Sequence, residues 1–174
     1  VIHEDKIIVP VSGSGVITGG NPNYECCENH GAVTALNVHT GEKLWEYHTM
    51  PAAEYTGQLS STGVKQRGPS GAPIWTTPTI DAKRAQVYVT TGENTSHPTT
   101  NTSDAIIALD IETGEANWVF QALENDMWNF GCSARGPNCI ILEDTNSVDF
   151  DFGGPAILVV TDEGELLIAG QKSG

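Results

Sequence analysis

The sequence predicts an all-β protein made of β-propeller blades, and two observations carry that prediction. The first is a repeated hairpin: residues 31–45, GAVTALNVHTGEKLW, recur as residues 104–118, DAIIALDIETGEANW. Each copy alternates apolar and polar residues, turns at Thr-Gly and ends in Trp, as a half-buried antiparallel hairpin does. The second is composition, since 19 Gly and 9 Pro in 174 residues suit a turn-rich chain. A hairpin cannot bury both its faces alone, so the repetition implies a stacked array.

The first predicted unit covers residues 1–50. It begins with a strand at residues 6–11, passes through a Gly/Ser turn and ends with the hairpin 31–49. Residues 50–73 show no periodicity and are rich in Gly, Ser, Pro and Gln. A connection of that length without structure of its own is unusual, so this segment is either a functional loop or an insertion.

The second predicted unit covers residues 75–121, with strands at 75–81 and 87–91 before the hairpin 104–121. A second polar insertion follows at residues 125–149. The third unit, residues 155–174, contains one strand, a turn at Asp-Glu-Gly and a returning strand. With the first insertion set aside, the repeat length is the ~40–50 residues of a propeller blade of four short strands. The sequence pattern therefore predicts about two and a half propeller blades, and we interpret the chain as a fragment of a longer propeller.

Charge and hydropathy argue against two classes of partner. The net charge is −14 with only 8 Lys plus Arg, which does not suit a surface for nucleic acid or an anionic membrane. No apolar run approaches the ~18 residues of a membrane span. The five His residues show no paired spacing typical of metal ligands.

The segments between the hairpins resemble the pyrroloquinoline-quinone (PQQ) dependent alcohol dehydrogenases, whose propellers have ~8 blades. They are similar above all to the polyvinyl-alcohol dehydrogenase branch. The segments are YECC at 24–27, IWTTPTID at 74–81, VYVTTGEN at 87–94, DMWN at 126–129 and AGQKSG at 169–174. The resemblance implies oxidation of a small or polymeric alcohol, with PQQ and Ca²⁺ as cofactors and a c-type cytochrome as electron acceptor.

Three residues match the cofactor-binding positions of that family. The resemblance implies that Trp75, at the start of a strand, lies flat under the quinone, that Asn94 ligates the metal and that Lys172 contacts the quinone oxygens. Each residue type also has an ordinary structural interpretation. These are a core Trp, a turn Asn and a solvated Lys.

Two positions depart from the methanol-oxidising relatives. There a catalytic Asp follows the Trp of the DMWN segment directly, whereas this chain has Asn129, and an amide cannot act as a base near neutral pH. Asp126 is the nearest carboxylate, so we nominate it as the base. In those relatives a metal-binding Glu follows a Ser-Gly turn, whereas here the corresponding turn leads to Ile17. Glu25 or Glu28, which flank the cysteine pair, could supply the missing carboxylate.

The four cysteines favour disulfides, because an even count in a β-rich chain suits an oxidising compartment. That compartment would be the bacterial periplasm, and four free thiols in a cytosolic protein are the alternative. Cys132 and Cys139 are close enough in sequence to close a small loop. The resemblance implies a vicinal disulfide between Cys26 and Cys27 near the quinone.

Two functions of different classes therefore remain at the level of sequence. Trp75, Asn94 and Lys172 together favour a quinoprotein alcohol dehydrogenase. Ile17 and Asn129 favour the alternative, a non-catalytic propeller that serves as a scaffold for protein partners.

Overall fold

The computed structural model describes residues 1–174 as a chain of short antiparallel strands with two single-turn helices. The helices are α1 (Gly15–Thr18) and α2 (Phe130–Ser133). The strands of the first half are β1 (Ile2–His3), β2 (Lys6–Val11), β3 (Ala32–Asn37), β4 (Lys43–His48), β5 (Glu54–Leu59), β6 (Lys65–Gly68) and β7 (Ser70–Gly71). Those of the second half are β8 (Thr79–Asp81), β9 (Gln86–Thr90), β10 (Asn94–Ser96), β11 (Ala105–Asp110), β12 (Ala116–Gln121), β13 (Ile157–Thr161) and β14 (Gly164–Ile168).

Two four-stranded antiparallel sheets confirm the predicted blades. The first has the order β1-β2-β3-β4 and the second the order β8-β9-β11-β12. The two hairpins are equivalent in register, since Ala35 pairs with Trp45 and Ala108 pairs with Trp118, with a register shift directly after each Ala. The third unit contributes only the hairpin β13–β14, and the sheets do not close into a ring.

The core lies between the first two blades. Apolar residues alternate on the facing sides of their strands and form one buried cluster: Ile8, Val33, Ala35, Trp45, Ile74, Val87, Val89, Ala105, Ile107, Leu109 and Ile111. The Trp45 indole N–H donates to the Ile111 carbonyl at 3.1 Å and so joins the two blades. Trp118, at the equivalent position, is 39% exposed, because the third unit contributes only two strands to cover it.

Two segments differ from the sequence prediction. The predicted strand at 75–81 is a strand only from Thr79 to Asp81, because Pro78 has no N–H to offer a ladder and ends it on that side. The insertion at 50–73 contains the hairpin β5–β6, which the sequence pattern did not reveal. Most residues of β5 are exposed, so its strand carries no alternation of apolar and polar residues.

Neither helix could reach across a lipid bilayer, because each is four residues long and no helix of the chain is long and apolar enough.

Candidate cofactor site

A cavity of about 470 Å³ lies where loops of the three units and both insertions meet. Its first wall is formed by residues 12–17, which follow β2 and include most of α1. Its other walls bring together Asn29, Gly71, Pro73, Trp75, Glu93, Thr95, Trp128, Phe130, Asp149, Asp151 and Lys172. Loops at one end of neighbouring blades thus converge on a single site, as they do in propellers.

Trp75 supplies an aromatic wall of this cavity. Its side chain is 48% exposed and faces the open space, with Gly153 beside the ring, where a Cβ would lie 3.9 Å from it. Trp75 is outside any strand, between Pro73 and Pro78. A flat ring left uncovered in a cavity is suited to stack on another planar group.

Three carboxylates form a cluster on the same cavity. Glu93, Asp149 and Asp151 each offer an oxygen within 4.8 Å of the others. Glu93 is 1% exposed, and its backbone N–H donates to Asp151 Oδ1 at 3.0 Å. A Cβ at residue 92 would collide with the Asp151 carboxylate, so Gly92 is what permits this close approach.

Lys172 holds two members of the cluster. Its Nζ donates to Asp149 Oδ1 at 2.9 Å and to Asp151 Oδ2 at 2.6 Å. Burial, followed by a hydrogen bond with Asp151, raises the pKa of Glu93 to about 10. Burial would also raise the pKa of Asp151, but hydrogen bonds with Glu93 and Lys172 outweigh it and hold that pKa below its ordinary value. Burial therefore favours the protonated form of Glu93 in the absence of a cation.

The residues present fit the cofactors that the sequence resemblance implied. Carboxylate oxygens are the hard ligands that Ca²⁺ prefers, and three of them converge here. The Lys172 ammonium is a donor that could meet carbonyl or carboxylate oxygens of a ligand, and Trp75 presents an aromatic face.

Asn94 does not line the cavity. Its Nδ2 donates to Ser103 Oγ at 2.7 Å and to the Asp126 carbonyl at 2.9 Å, while its Oδ1 accepts from the Thr100 backbone N–H and hydroxyl, each at 3.1 Å. Alternation along the chain turns Glu93 and Thr95 toward the cavity and Asn94 away from it. The amide is fully engaged inside the protein, and the neighbouring Glu93 is the residue that reaches the site.

Asp126 is also buried outside the cavity. Its two carboxylate oxygens accept backbone N–H groups from Val148 and Phe150, each at 3.1 Å. Burial raises the pKa of Asp126 in spite of these donors. The carboxylate expected to act as a base therefore clamps the backbone on both sides of Asp149.

The side chain of Asn129, like that of Asp126, is buried and hydrogen-bonded inside the protein. Its Nδ2 donates to the carbonyls of Thr95 and Asn138, each at 3.0 Å, and its Oδ1 caps α2 by accepting from the Gly131 N–H at 2.8 Å. These bonds fix the segment that presents Trp128 and Phe130 to the cavity. Asn129 itself does not face the space.

Of the positions considered for a substitute metal ligand, only Ile17 lines the cavity. Ile17 lines the cavity with 70% of its surface exposed, so this wall carries no carboxylate. Glu25 and Glu28 both pair with Arg67, at 3.0 and 3.1 Å, and neither lines the cavity.

Both predicted disulfides are present. Cys26 is bonded to Cys27 and Cys132 to Cys139, which leaves no free thiol. The vicinal pair is fully buried and lies behind the cavity wall, with Cys27 Sγ 3.6 Å from the carbonyl oxygen of Thr95. Cys26 and Cys27 therefore lie behind Thr95, a residue of the cavity wall, and do not line the cavity themselves.

Sequence reasoning selected Trp75 and Lys172, which the structure brings together, and missed Glu93, Asp149 and Asp151. The only local signal for the acids was the alternation of Asp and Phe at residues 149–152. Nothing in that segment indicated Glu93 as a partner, because 58 residues separate it from Asp151.

Comparison with known proteins agrees with this fold. The family model described as "PQQ: Glucose/ethanol/alcohol dehydrogenase, beta-propeller domain" matches residues 2–166. The crystal structure of the quinohemoprotein alcohol dehydrogenase from Comamonas testosteroni has the same fold, with a TM-score of 0.56 and 19% identity over 99% of this chain and 25% of that one.

Two relatives carry the name polyvinylalcohol dehydrogenase. The protein from a Pseudomonas species is 36% identical over 99% of this chain and 26% of its own length. The protein from a Sphingopyxis species is 34% identical over 98% of this chain and 26% of its own length. This chain thus spans about a quarter of these relatives. With a family match over nearly all its residues, the chain belongs to the PQQ glucose/ethanol/alcohol dehydrogenase β-propeller family.

Proposed function

We propose that this chain forms the cofactor-binding part of a PQQ-dependent dehydrogenase that oxidises secondary alcohols, small or polymeric. One observation carries the proposal: Trp75, Lys172 and three clustered carboxylates line a single cavity. An aromatic wall, a cation and a set of hard oxygen ligands are what a planar anionic quinone and a divalent cation require.

Each residue has a distinct role in this proposal. PQQ, when bound, supplies the quinone that accepts hydride from the alcohol carbon. Trp75 supports the planar ring, and Lys172 donates hydrogen bonds to its oxygens. Glu93 and Asp151, the two buried carboxylates, hold Ca²⁺ in place of the Asn94 expected from sequence.

Asp149 is the residue that we assign as acceptor of the hydroxyl proton. Its side chain is 32% exposed, compared with 9% for Asp151, so a substrate in the cavity reaches it first. Lys172 holds its Oδ1 at 2.9 Å, and Asp126 fixes the backbone on either side. A positioned carboxylate of this kind is a suitable general base.

The relatives support the choice of substrate and partner. Two similar proteins are named for polyvinyl alcohol, and a more distant one is named lupanine 17-hydroxylase [cytochrome c]. We therefore propose a c-type cytochrome as the electron acceptor. Two disulfides suit an oxidising compartment, which for a bacterial protein is the periplasm.

The proposal is tested by loading the complete apoprotein with PQQ and CaCl₂. Binding is followed by quenching of tryptophan fluorescence, and turnover by dye reduction with propan-2-ol. Lys172→Met should weaken PQQ binding about tenfold or more, because a charge-assisted hydrogen bond is lost. Lys65→Met, at an exposed Lys remote from the cavity, is the matched control and should leave affinity unchanged.

Asp149→Asn separates binding from chemistry. It should retain PQQ binding and lower kcat by roughly 10²-fold or more, since the general base is lost. Full activity in this variant would contradict the assignment of Asp149. A complete protein that bound no quinone would overturn the enzymatic proposal and favour the scaffold alternative.

A further inference from the structure

A second depression, which we call the insertion groove, lies beside the hairpin β5–β6 and has a volume of about 320 Å³. Thr56 and Gln58 of β5 form one side. Residues 97–99, after β10, and Leu142 and Asp144, from the second insertion, form the other. The groove is thus built by the two insertions together with the chain that follows β10.

The lining of the groove combines neutral polar groups with apolar surface. Gln58 offers an amide, and the hydroxyl oxygens of Thr56 and Thr99 can still accept hydrogen bonds, although their protons are donated to the Gln66 carbonyl and the Asn125 side chain. Pro98 and Leu142 offer apolar atoms. The side chains of Gln58 and Asp144 are exposed and make no hydrogen bond within the chain. Polar groups without partners, next to apolar contacts, suit a ligand that carries hydroxyl groups on a hydrocarbon chain.

The groove is close to the cofactor cavity. Thr95 lines the cavity and Thr99 lines the groove, so the two are separated by four residues of chain. At about 3.3 Å per residue this is at most ~13 Å. Phe130, at the cavity wall, is 52% exposed.

We propose that the insertion groove is a subsite for a polymeric alcohol, a carbon chain with a hydroxyl on every second atom, and this proposal rests on the function proposed above. An extended carbon chain advances ~2.5 Å for every two bonds, as C–C lengths and angles require. About five repeat units would therefore span from the cavity to the groove. Hydroxyls along that chain meet Gln58 and the Thr side chains while a distal carbinol is oxidised.

Binding to the complete apoprotein tests the groove without catalysis. Gln58→Trp places an indole in the groove, whereas Leu59→Trp adds the same side chain at the next position of β5, outside the groove. Both residues are exposed, so neither change should disturb folding. Isothermal titration calorimetry with poly(vinyl alcohol) should show at least tenfold weaker binding for Gln58→Trp and unchanged binding for Leu59→Trp.

Turnover of the loaded enzyme distinguishes failure of the groove from failure of the proposed function. Gln58→Trp should lower kcat/KM for the polymer about tenfold and leave kcat/KM for propan-2-ol unchanged. Equal effects on the two alcohols, or equal polymer binding by both Trp variants, would overturn the subsite while leaving alcohol oxidation intact. An apoprotein that binds the polymer equally well in all three forms would also refute it. Absence of turnover with any alcohol would instead count against the proposed function.

Discussion

Asp126 shows how a single buried carboxylate positions the residues of the cavity. It accepts the backbone N–H groups of Val148 and Phe150, which flank Asp149. Two further members of the site, Asp151 and Lys172, interact with that segment through the Lys172 ion pairs. The geometry of the cluster therefore depends on a side chain that does not touch the cavity.

Replacement of Asp126 should expose this dependence. Asp126→Ala leaves two backbone donors without a partner and should lower the free energy of unfolding by about 2 kcal/mol. It should also weaken Ca²⁺ binding, because the backbone at Phe150, next to the proposed ligand Asp151, is no longer fixed. Urea unfolding and calcium titration of the complete protein measure the two effects. Asp144→Ala, at an exposed Asp without hydrogen bonds, is the control, and equal effects of the two changes would contradict the clamp.

Asp104 predicts a dependence of stability on pH. It is fully buried, neither carboxylate oxygen has a hydrogen-bond partner, and burial followed by the charges of Asp126 and Asp151 raises its pKa to about 8 from 3.8. Between these two pKa values the unfolded chain has ionised this group while the folded chain keeps the proton. The Asp104 contribution to stability therefore falls as pH rises from about 4 to 8.

Asp104→Asn should remove that loss. We expect the variant to be more stable than the wild type by about 4 kcal/mol at pH 7 and nearly equally stable close to pH 4. Asn also tolerates the positive φ of 48° found at this position. Urea unfolding at the two pH values measures the difference, and a difference that does not change with pH would refute the explanation.

At the scale of elements, the hairpin turn of one blade packs against the Trp of the blade before it. Gly114 and Gly41 occupy equivalent turns with the same φ of 74°. A Cβ at residue 114 would come 2.5 Å from the Trp45 ring, whereas a Cβ at residue 41 would meet nothing within 4 Å. The same sequence motif therefore carries a packing contact in one copy only.

This pair gives a matched test of the contact between blades. Gly41→Ala and Gly114→Ala should both cost about 1 kcal/mol, because φ is positive in each turn. Gly114→Ala should cost a further ~1–3 kcal/mol, since Trp45 must move and its bond to Ile111 is strained. Chemical unfolding of the 174-residue chain measures both, and equal costs would show that the turn does not support Trp45.

At the scale of the whole 174-residue chain, which spans about a quarter of the length of its relatives, the sheets do not close into a ring and the third unit leaves apolar surface uncovered. Ile157, Val160, Leu166 and Ile168 of the hairpin β13–β14 are each at least 50% exposed. A two-stranded sheet with such residues on its faces has neither partner strands nor a covering layer.

The 174-residue chain should therefore self-associate through this hairpin at micromolar concentration. The double variant Leu166→Lys with Ile168→Lys should shift it toward the monomer in sedimentation velocity. Glu163→Lys, in the exposed turn, changes the net charge by the same amount and should leave the association state unchanged. If all three forms sedimented alike as monomers, the exposed face would not be an association surface.

The sequence by itself determined the blades. The strand Lys6–Val11 and both Trp-ended hairpins follow from alternation and turn residues, which are local properties, so the structure reproduces them almost residue for residue. The resemblance of its motifs to the PQQ-dependent family also indicated Trp75 and Lys172, and the structure places both on the cavity. Local patterns did not reveal the hairpin β5–β6, because its exposed faces impose no periodicity.

Only the tertiary structure decided which polar residues face the cavity. Three polar residues are of types that could ligate a metal or accept a proton: Asn94, Asp126 and Asn129. The side chain of each is instead hydrogen-bonded to other groups of the protein and does not face the cavity. Glu93 comes from a segment distant from Asp149 and Asp151, and the pKa shifts of Glu93 and Asp151 arise from burial and from their mutual contact. Burial and proximity depend on how loops of successive blades converge, and a linear pattern of residue types does not encode that convergence.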